Sequence, residues 1–285
     1  MKKDLIVYIS YPFCAGQCRL CKSRVFPEEI NGRYLYPDAL LKELDSYRDA
    51  LEDYIVRGVW LGGGTAGGLF DESIPHLLHT LRGEVEFAPD CELTLKVQPN
   101  MFNAYTVTQM GRCGINRVSL DYVSCSATEN EAFGKAWVEE AMRYFGQVLA
   151  NTGATLSMDI IAGLPRQTEH SLAQTLRQAL KGSPAQISLY AFTGAGAADP
   201  EIRLAQAAGI LTAGGYEETQ PGRFALPGKA CRWFALERTA ECLGLGLGSE
   251  SRMDGLLSVN TDDLPLYLKY ADDPEKIVRR LERLS

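Results

Sequence analysis

Short runs of β-branched and apolar residues alternate with longer stretches in which apolar positions recur three and four places apart over the first 210 residues. The short runs predict strands over 5–10, 58–61, 92–97, 117–121, 155–161 and 186–191, each followed by Gly, Pro or polar residues. The longer stretches predict helices over 37–54, 72–81, 104–112, 131–149, 168–180 and 200–208. About six βα units in sequence are the pattern of an α/β fold with a parallel sheet coated by helices. Beyond residue 210 the pattern gives way to a Gly-rich, Pro-containing stretch that includes Gly244-Leu245-Gly246-Leu247-Gly248. A last charged helix is expected over 274–284, with Asp272, Asp273 and Glu275 at its positive end and Arg279, Arg280 and Arg283 at its negative end. The organisation predicted is a core over 1–210 and a Gly-rich extension over 211–285 packed on it.

With 46% hydrophobic and 23% charged residues among 285, the chain is expected to bury a sizeable core. Its formal charge of −7 argues against a nucleic-acid partner. The apolar run after Lys2 and Lys3 ends too soon for a signal peptide. No window approaches the roughly 18 uninterrupted apolar residues of a membrane span. Eight cysteines without a secretory signal are read as reduced thiols, which places the protein in the cytoplasm.

Three of those cysteines, Cys14, Cys18 and Cys21, fall within eight residues between the first predicted strand and the first predicted helix. Cubane clusters usually take four thiolates, so a loop that supplies three leaves one iron open to substrate or cofactor. Gly16 gives the loop freedom to curl, and strand ends are where α/β barrels place their chemistry. The competing readings are a chance trio of small hydrophobes, or a zinc site completed by Cys91, Cys113, Cys125, Cys231, Cys242 or a histidine. His76, His79 and His170 fall on predicted helices away from the trio. Gly62-Gly63-Gly64-Thr65 after a buried strand would let backbone amides approach a ligand, or would simply form a tight turn. Asp159, late in an apolar strand, could accept hydrogen bonds from a ribose or an amine, or cap a helix.

The C-x3-C-x2-C spacing on the exit loop of the first strand resembles the signature of radical S-adenosylmethionine (SAM) enzymes. Further stretches resemble one branch of them, the oxygen-independent coproporphyrinogen III oxidases and their heme-chaperone relatives. These are 8–14, Leu61-Gly62-Gly63-Gly64-Thr65, Gly114-Ile115-Asn116-Arg117-Val118-Ser119, 159–168, 187–190 and 243–252. The resemblance implies a partial (β/α)6 TIM-like barrel and a [4Fe–4S] cluster on Cys14, Cys18 and Cys21. It further implies that Tyr8, Gly63, Gly64, Thr65 and Asp159 contact SAM, and that a reductant such as flavodoxin or ferredoxin supplies an electron. The activity implied is a 5′-deoxyadenosyl radical abstracting hydrogen from an organic substrate, a tetrapyrrole in this branch, where the named reaction is oxidative decarboxylation of propionates. A heme chaperone or heme-handling protein on the same scaffold, or a radical methyltransferase-like enzyme, are the alternatives.

The chain also departs from that branch. Lys96 stands where a glutamate usually holds SAM, and a cation there would repel the sulfonium or the α-ammonium. Val123 replaces a glutamine and Lys135 an arginine, which loses the planar fork. Leu20 stands in for an aromatic residue on the adenine, Ser10 for a histidine, and Ser23 for the extra cysteine of the oxidases. Typical relatives continue into a separate C-terminal domain that covers the substrate.

Overall fold

A computed structural model describes residues 2–14, 18–19, 21, 25–27, 32–64, 73–98, 104–134, 149 and 153–284. Six strands in chain order make the centre of one twelve-stranded sheet. They are β1 (Lys3–Tyr11), β2 (Tyr54–Gly63), β3 (Glu86–Val97), β4 (Arg117–Val123), β5 (Thr155–Ala162) and β6 (Gln186–Ala191), each parallel to its neighbour. β4 and β5 are buried along almost their whole length, as parallel strands covered on both faces must be. The helices between them are α1 (Gly32–Ser46), α2 (Arg48–Leu51), α3 (Ser73–Glu84), α4 (Ala104–Cys113), α5 (Ala127–Phe133), α6 (Glu169–Lys181) and α7 (Pro200–Ala213). The fold is the α/β partial (β/α)6 barrel expected: β1 and β6 do not pair with each other, so the barrel stays open.

Each predicted strand is present, most of them longer than the apolar run that announced it. β3 begins at Glu86, six residues before the predicted start, because Pro89 and Asp90 break the alternation without ending the chain's extension. The first predicted helix instead runs from Gly32 to Ser46 and resumes as a single turn, and 52–54 already turn into β2. Of the helix predicted over 131–149, residues 131–133 are helical but end α5, which starts at Ala127, where Ser126 accepts a hydrogen bond from the Glu129 amide, and stops at Phe133 on a left-handed Gly134. Residues 135–148 lie outside the described part of the chain.

The Gly-rich extension adds strands to both edges of the sheet. β7 (Glu217–Gln220) and β8 (Arg223–Ala225) continue it beyond β6, whereas β9 (Glu241–Leu245), β10 (Glu250–Met253), β11 (Leu256–Asn260) and β12 (Val278–Arg283) continue it beyond β1. Between β8 and β9, the short α8 (Trp233–Leu236) places Trp233 against Trp60 and Tyr8. α9 (Leu264–Tyr270) packs on α1. The terminal helix is a correction: only α10 (Pro274–Ile277) is helical, and 278–283 form β12 against β11. Extended pairing satisfies the backbone of this segment on one side, and its charged side chains suit an edge strand exposed to water.

Glu43, on α1, ties this extension to the barrel. Its fully buried carboxylate accepts hydrogen bonds from the Gly246 amide at 2.7 Å, the Tyr267 hydroxyl at 2.6 Å and the Asn260 side-chain amide. Burial raises its pKa from 4.5 to about 7, against the opposing pull of these donors. The folded value exceeds the unfolded one, so the stabilising contribution is fully present below pH 4.5 and is lost as pH rises through about 7. Urea unfolding at pH 5 and pH 8 is therefore expected to show wild type losing about 3 kcal/mol relative to Glu43→Gln over that interval. A pH-independent difference would place the titration elsewhere.

Candidate functional site

The C-terminal ends of β1 to β6 surround a cavity of about 290 Å3. Cys14, Cys18 and Cys21 all line it. Cys14 is held where β1 ends: its amide donates to the Phe26 carbonyl at 2.9 Å, and the Phe26 amide donates to the Pro12 carbonyl at 2.8 Å. Cys18 packs on an apolar patch of Val123, Phe133, Ile161, Leu164 and Phe192. The Cys21 amide donates to the Cys18 carbonyl at 2.9 Å and closes a turn. Gln98, just past β3, reaches the Cys14 sulfur at 3.8 Å.

Gly63 and Gly64 line the same cavity, and the reason for glycine there is visible. Gly63 has φ +105°, and a Cβ on it would lie 2.7 Å from the Tyr11 carbonyl oxygen; a Cβ on Gly64 would run into the Phe13 carbonyl. The Gly64 amide donates to the Tyr11 carbonyl at 2.5 Å. The glycines thus let the end of β2 close on the strand exit that bears Cys14. Thr65 lies outside the described residues, as do Gly16, Leu20, Ser23 and Lys135.

In the same cavity, three adjacent strands converge on one ion cluster. Lys96 of β3 lies 3.0 Å from Asp121 of β4 and 2.8 Å from Asp159 of β5. Their side chains are 25%, 19% and 10% exposed, so water screens the cluster only in part. Burial works to lower the Lys96 pKa, but the two carboxylates outweigh it and hold the ammonium well above the usual lysine range. The expected repulsive cation is therefore neutralised in place, and Asp159 is not a helix cap but the partner of Lys96. Tyr190 of β6 also lines the cavity, its hydroxyl held above its ordinary pKa by burial.

Tyr8 lines an adjoining cavity of about 320 Å3 with Ser10, Leu247 and Arg279, and Gly63 and Gly64 line both. Ser10 donates to the Leu247 carbonyl at 3.0 Å, and Tyr36 donates to the Ser10 carbonyl at 2.9 Å. Sequence reasoning passed over Asp121, Gln98, Phe133 and Tyr190. Asp121 had a signal, a carboxylate near the end of an otherwise apolar strand; the other three are ordinary residues whose role depends on tertiary placement.

Val123, on the cavity wall, has φ +63° and is 2% exposed. Positive φ is strained for a β-branched residue, and strain of this kind concentrates at functional sites. Val123→Gly is expected to cost at least about 2 kcal/mol less in chemical denaturation than Val118→Gly in the same strand, because it relieves that strain. Equal costs would show no strain at position 123.

Among the described residues no three His, Cys, Asp or Glu side chains converge tightly enough to hold a single metal ion. A cubane makes a different demand, since each thiolate binds a different iron and the sulfurs stand apart around the cluster. Three thiols in one lining, with two glycines and no fourth cysteine among its described residues, fit that demand better than a zinc tetrahedron.

No family model matches the chain. It is 25% identical over 270 residues to the heme chaperone HemW of Escherichia coli (strain K12), covering 87% of this chain and 70% of that protein. It is likewise 25% identical over 299 residues to the anaerobic coproporphyrinogen III oxidase 1 of Cereibacter sphaeroides, covering 94% and 66%. Among solved structures, coproporphyrinogen III oxidase (HemN) from Escherichia coli, described as a radical SAM enzyme, superposes with a TM-score of 0.87 at 21% identity, over 100% of this chain and 73% of that one. The tagged anSMEcpe structure with bound AdoMet superposes at 0.56 with 13% identity, over 95% and 78%.

Proposed function

We propose, from its likeness to HemW and to the coproporphyrinogen III oxidases, that this chain is a radical SAM protein that binds a [4Fe–4S] cluster through Cys14, Cys18 and Cys21 and SAM beside it, and abstracts hydrogen from a tetrapyrrole-like substrate. The observation that carries the reading is the cavity itself, lined at once by three cysteines, two glycines and the Lys96–Asp121–Asp159 cluster. When bound, the cluster would pass one electron from an external reductant to SAM, breaking its C5′–S bond to give methionine and a 5′-deoxyadenosyl radical. The remaining work belongs to the chain. Gly63 and Gly64 let the end of β2 close on the strand exit that bears Cys14, which fixes that thiol at the cavity. Asp159, steadied by Lys96, offers an acceptor to ribose or ammonium groups. Val123, Phe133 and Ile161 make an apolar side that keeps water from a reactive intermediate. Tyr8 and Arg279 line the adjoining chamber, where substrate would meet the cofactor.

A heme-handling role on the same scaffold is the second reading, supported by the likeness to HemW and by the engagement of Asp159 with Lys96. Anaerobic reconstitution with iron and sulfide, EPR of the reduced protein with and without SAM, and an assay for 5′-deoxyadenosine separate the two. A cubane signal shifted by SAM, with 5′-deoxyadenosine formed, supports the enzyme. Stoichiometric hemin binding with a signal that ignores SAM supports heme handling and overturns the enzyme. Cys14→Ala is expected to abolish the cubane signal; a full signal in that variant would sink the ligand assignment.

A further inference from the structure

The barrel is open beyond β6, where β8 joins the sheet, and a guanidinium stands at that opening that the proposed function does not use. Arg223 of β8 pairs in register with Ser188 of β6, so it shares a face of the sheet with Tyr190, two residues farther along. Its guanidinium lies 4.7 Å from the centre of the Tyr190 ring and 4.3 Å from that of Phe234 on α8. Gln220 of β7 holds α8 in place by donating to the Phe234 carbonyl at 2.9 Å. Stacking engages the faces of a guanidinium and leaves the N–H donors in its plane, and among the described residues no carboxylate pairs with those of Arg223. From Phe234 an arc of rings crosses the opening. Phe234 packs on Trp60 of β2 at 5.7 Å between ring centres, Trp60 on Trp233 at 5.6 Å, and Trp233 on Tyr8 of β1 at 6.4 Å. Tyr190 lines the cysteine cavity and Tyr8 the adjoining one, so the arc runs from one chamber to the other. Arg223, Tyr190, Phe234, Trp60 and Tyr8 each keep part of their surface accessible.

We propose that Arg223 is a ligand-binding and specificity-determining residue: its guanidinium takes a carboxylate of the organic substrate, whose apolar framework lies along the aromatic arc. The inference rests on the tetrapyrrole-like reading of the substrate and adds to it that acidic side chains are what the chain selects. A half-buried cation without a counter-ion has lost part of its hydration, and the two rings return only some of that cost. A carboxylate meeting the guanidinium edge-on makes two parallel N–H···O bonds, the geometry for which arginine is suited and lysine is not. The flanking rings hold the guanidinium plane in advance, so little order is lost when the acid arrives.

The test is equilibrium binding of coproporphyrin III, whose propionate side chains are carboxylates, and of the corresponding amide, which keeps the ring and is uncharged, to the cluster-loaded protein. Arg223→Gln is expected to weaken coproporphyrin III about tenfold and the amide less than about threefold, with SAM affinity unchanged. Arg223→Lys, which keeps the charge without the planar fork, is expected to fall between wild type and Arg223→Gln and supplies the comparison if glutamine disturbs the packing. Circular dichroism and an unchanged cubane signal establish that each variant is folded and loaded. An equal loss for the acid and the amide would make Arg223 a staple between β6 and α8, and no loss would leave it without a ligand; either overturns the proposal and leaves the proposed function standing. Weaker SAM binding by Arg223→Gln would assign the guanidinium to the carboxylate of the cofactor and overturns the proposal too. A wild type that binds neither porphyrin overturns the tetrapyrrole reading itself, and this inference with it.

Discussion

Glu92→Ala is expected to cost about 3–5 kcal/mol of folding free energy while leaving the thiol cavity intact. Arg117 is 4% exposed near the start of β4, and its guanidinium donates to Glu92 at 2.7 Å, to Ser157 at 2.7 Å and to the Lys229 carbonyl at 3.2 Å. The other oxygen of Glu92 accepts from the Arg232 amide at 3.1 Å and from the Cys231 thiol at 3.0 Å. Removing the carboxylate strands a buried guanidinium and two further donors, and uncompensated burial is what makes such a deletion expensive. This knot closes the end of the barrel opposite the cysteines, joining β3, β4 and β5 to the segment around 229–232. Chemical denaturation should register the full loss, while a reconstituted cubane signal should keep its shape. A loss below about 1 kcal/mol would mean that water or a rearranged Ser157 satisfies Arg117.

The second large effect is expected at Lys96→Glu. On the sequence alone, this change restores the acid that relatives place on β3, and it should improve the site. The structure predicts the reverse for stability: a third carboxylate would enter a space where Asp121 and Asp159 already meet one cation at 3.0 and 2.8 Å. Like charges this close raise one another's pKa in the folded state. Stability is then retained below the unfolded carboxylate range and lost as pH rises toward neutrality. We expect a loss of roughly 3 kcal/mol at pH 7.5, at the low end for a broken buried pair because the cluster is partly exposed, and recovery of most of it near pH 5. Thermal melts at the two pH values decide it; a variant as stable as wild type at pH 7.5 would show that the cluster relaxes freely.

The apolar runs made the six parallel strands legible because the segments they mark are largely buried, which leaves little room for polar interruptions. The cysteine trio and the glycine pair were legible for a related reason, since a short loop and a tight approach both constrain local sequence. The extension was not. β9 to β12 are short, and Gly244 and Gly246 within or beside them carry no propensity signal. The glycines are there because a Cβ on Gly244 would collide with Glu250 and one on Gly246 with Tyr36. The charged segment after Pro274 reads as a helix by charge placement, yet its pairing with β11 decides the outcome, a case of tertiary context overriding local preference. Lys96 shows the same limit within the site. Its position marks it as a misplaced cation, and only the approach of β4 and β5 reveals the two acids that neutralise it.

The contacts of Glu43 also set a timetable. Its partners Gly246, Asn260 and Tyr267 lie 203, 217 and 224 residues farther along the chain. Closing loops of that length is entropically slow, and contacts so distant in sequence form late. During synthesis the acid on α1 must therefore wait, facing water, until residue 267 has left the ribosome. What seals α1 in place is made more than 200 residues after it.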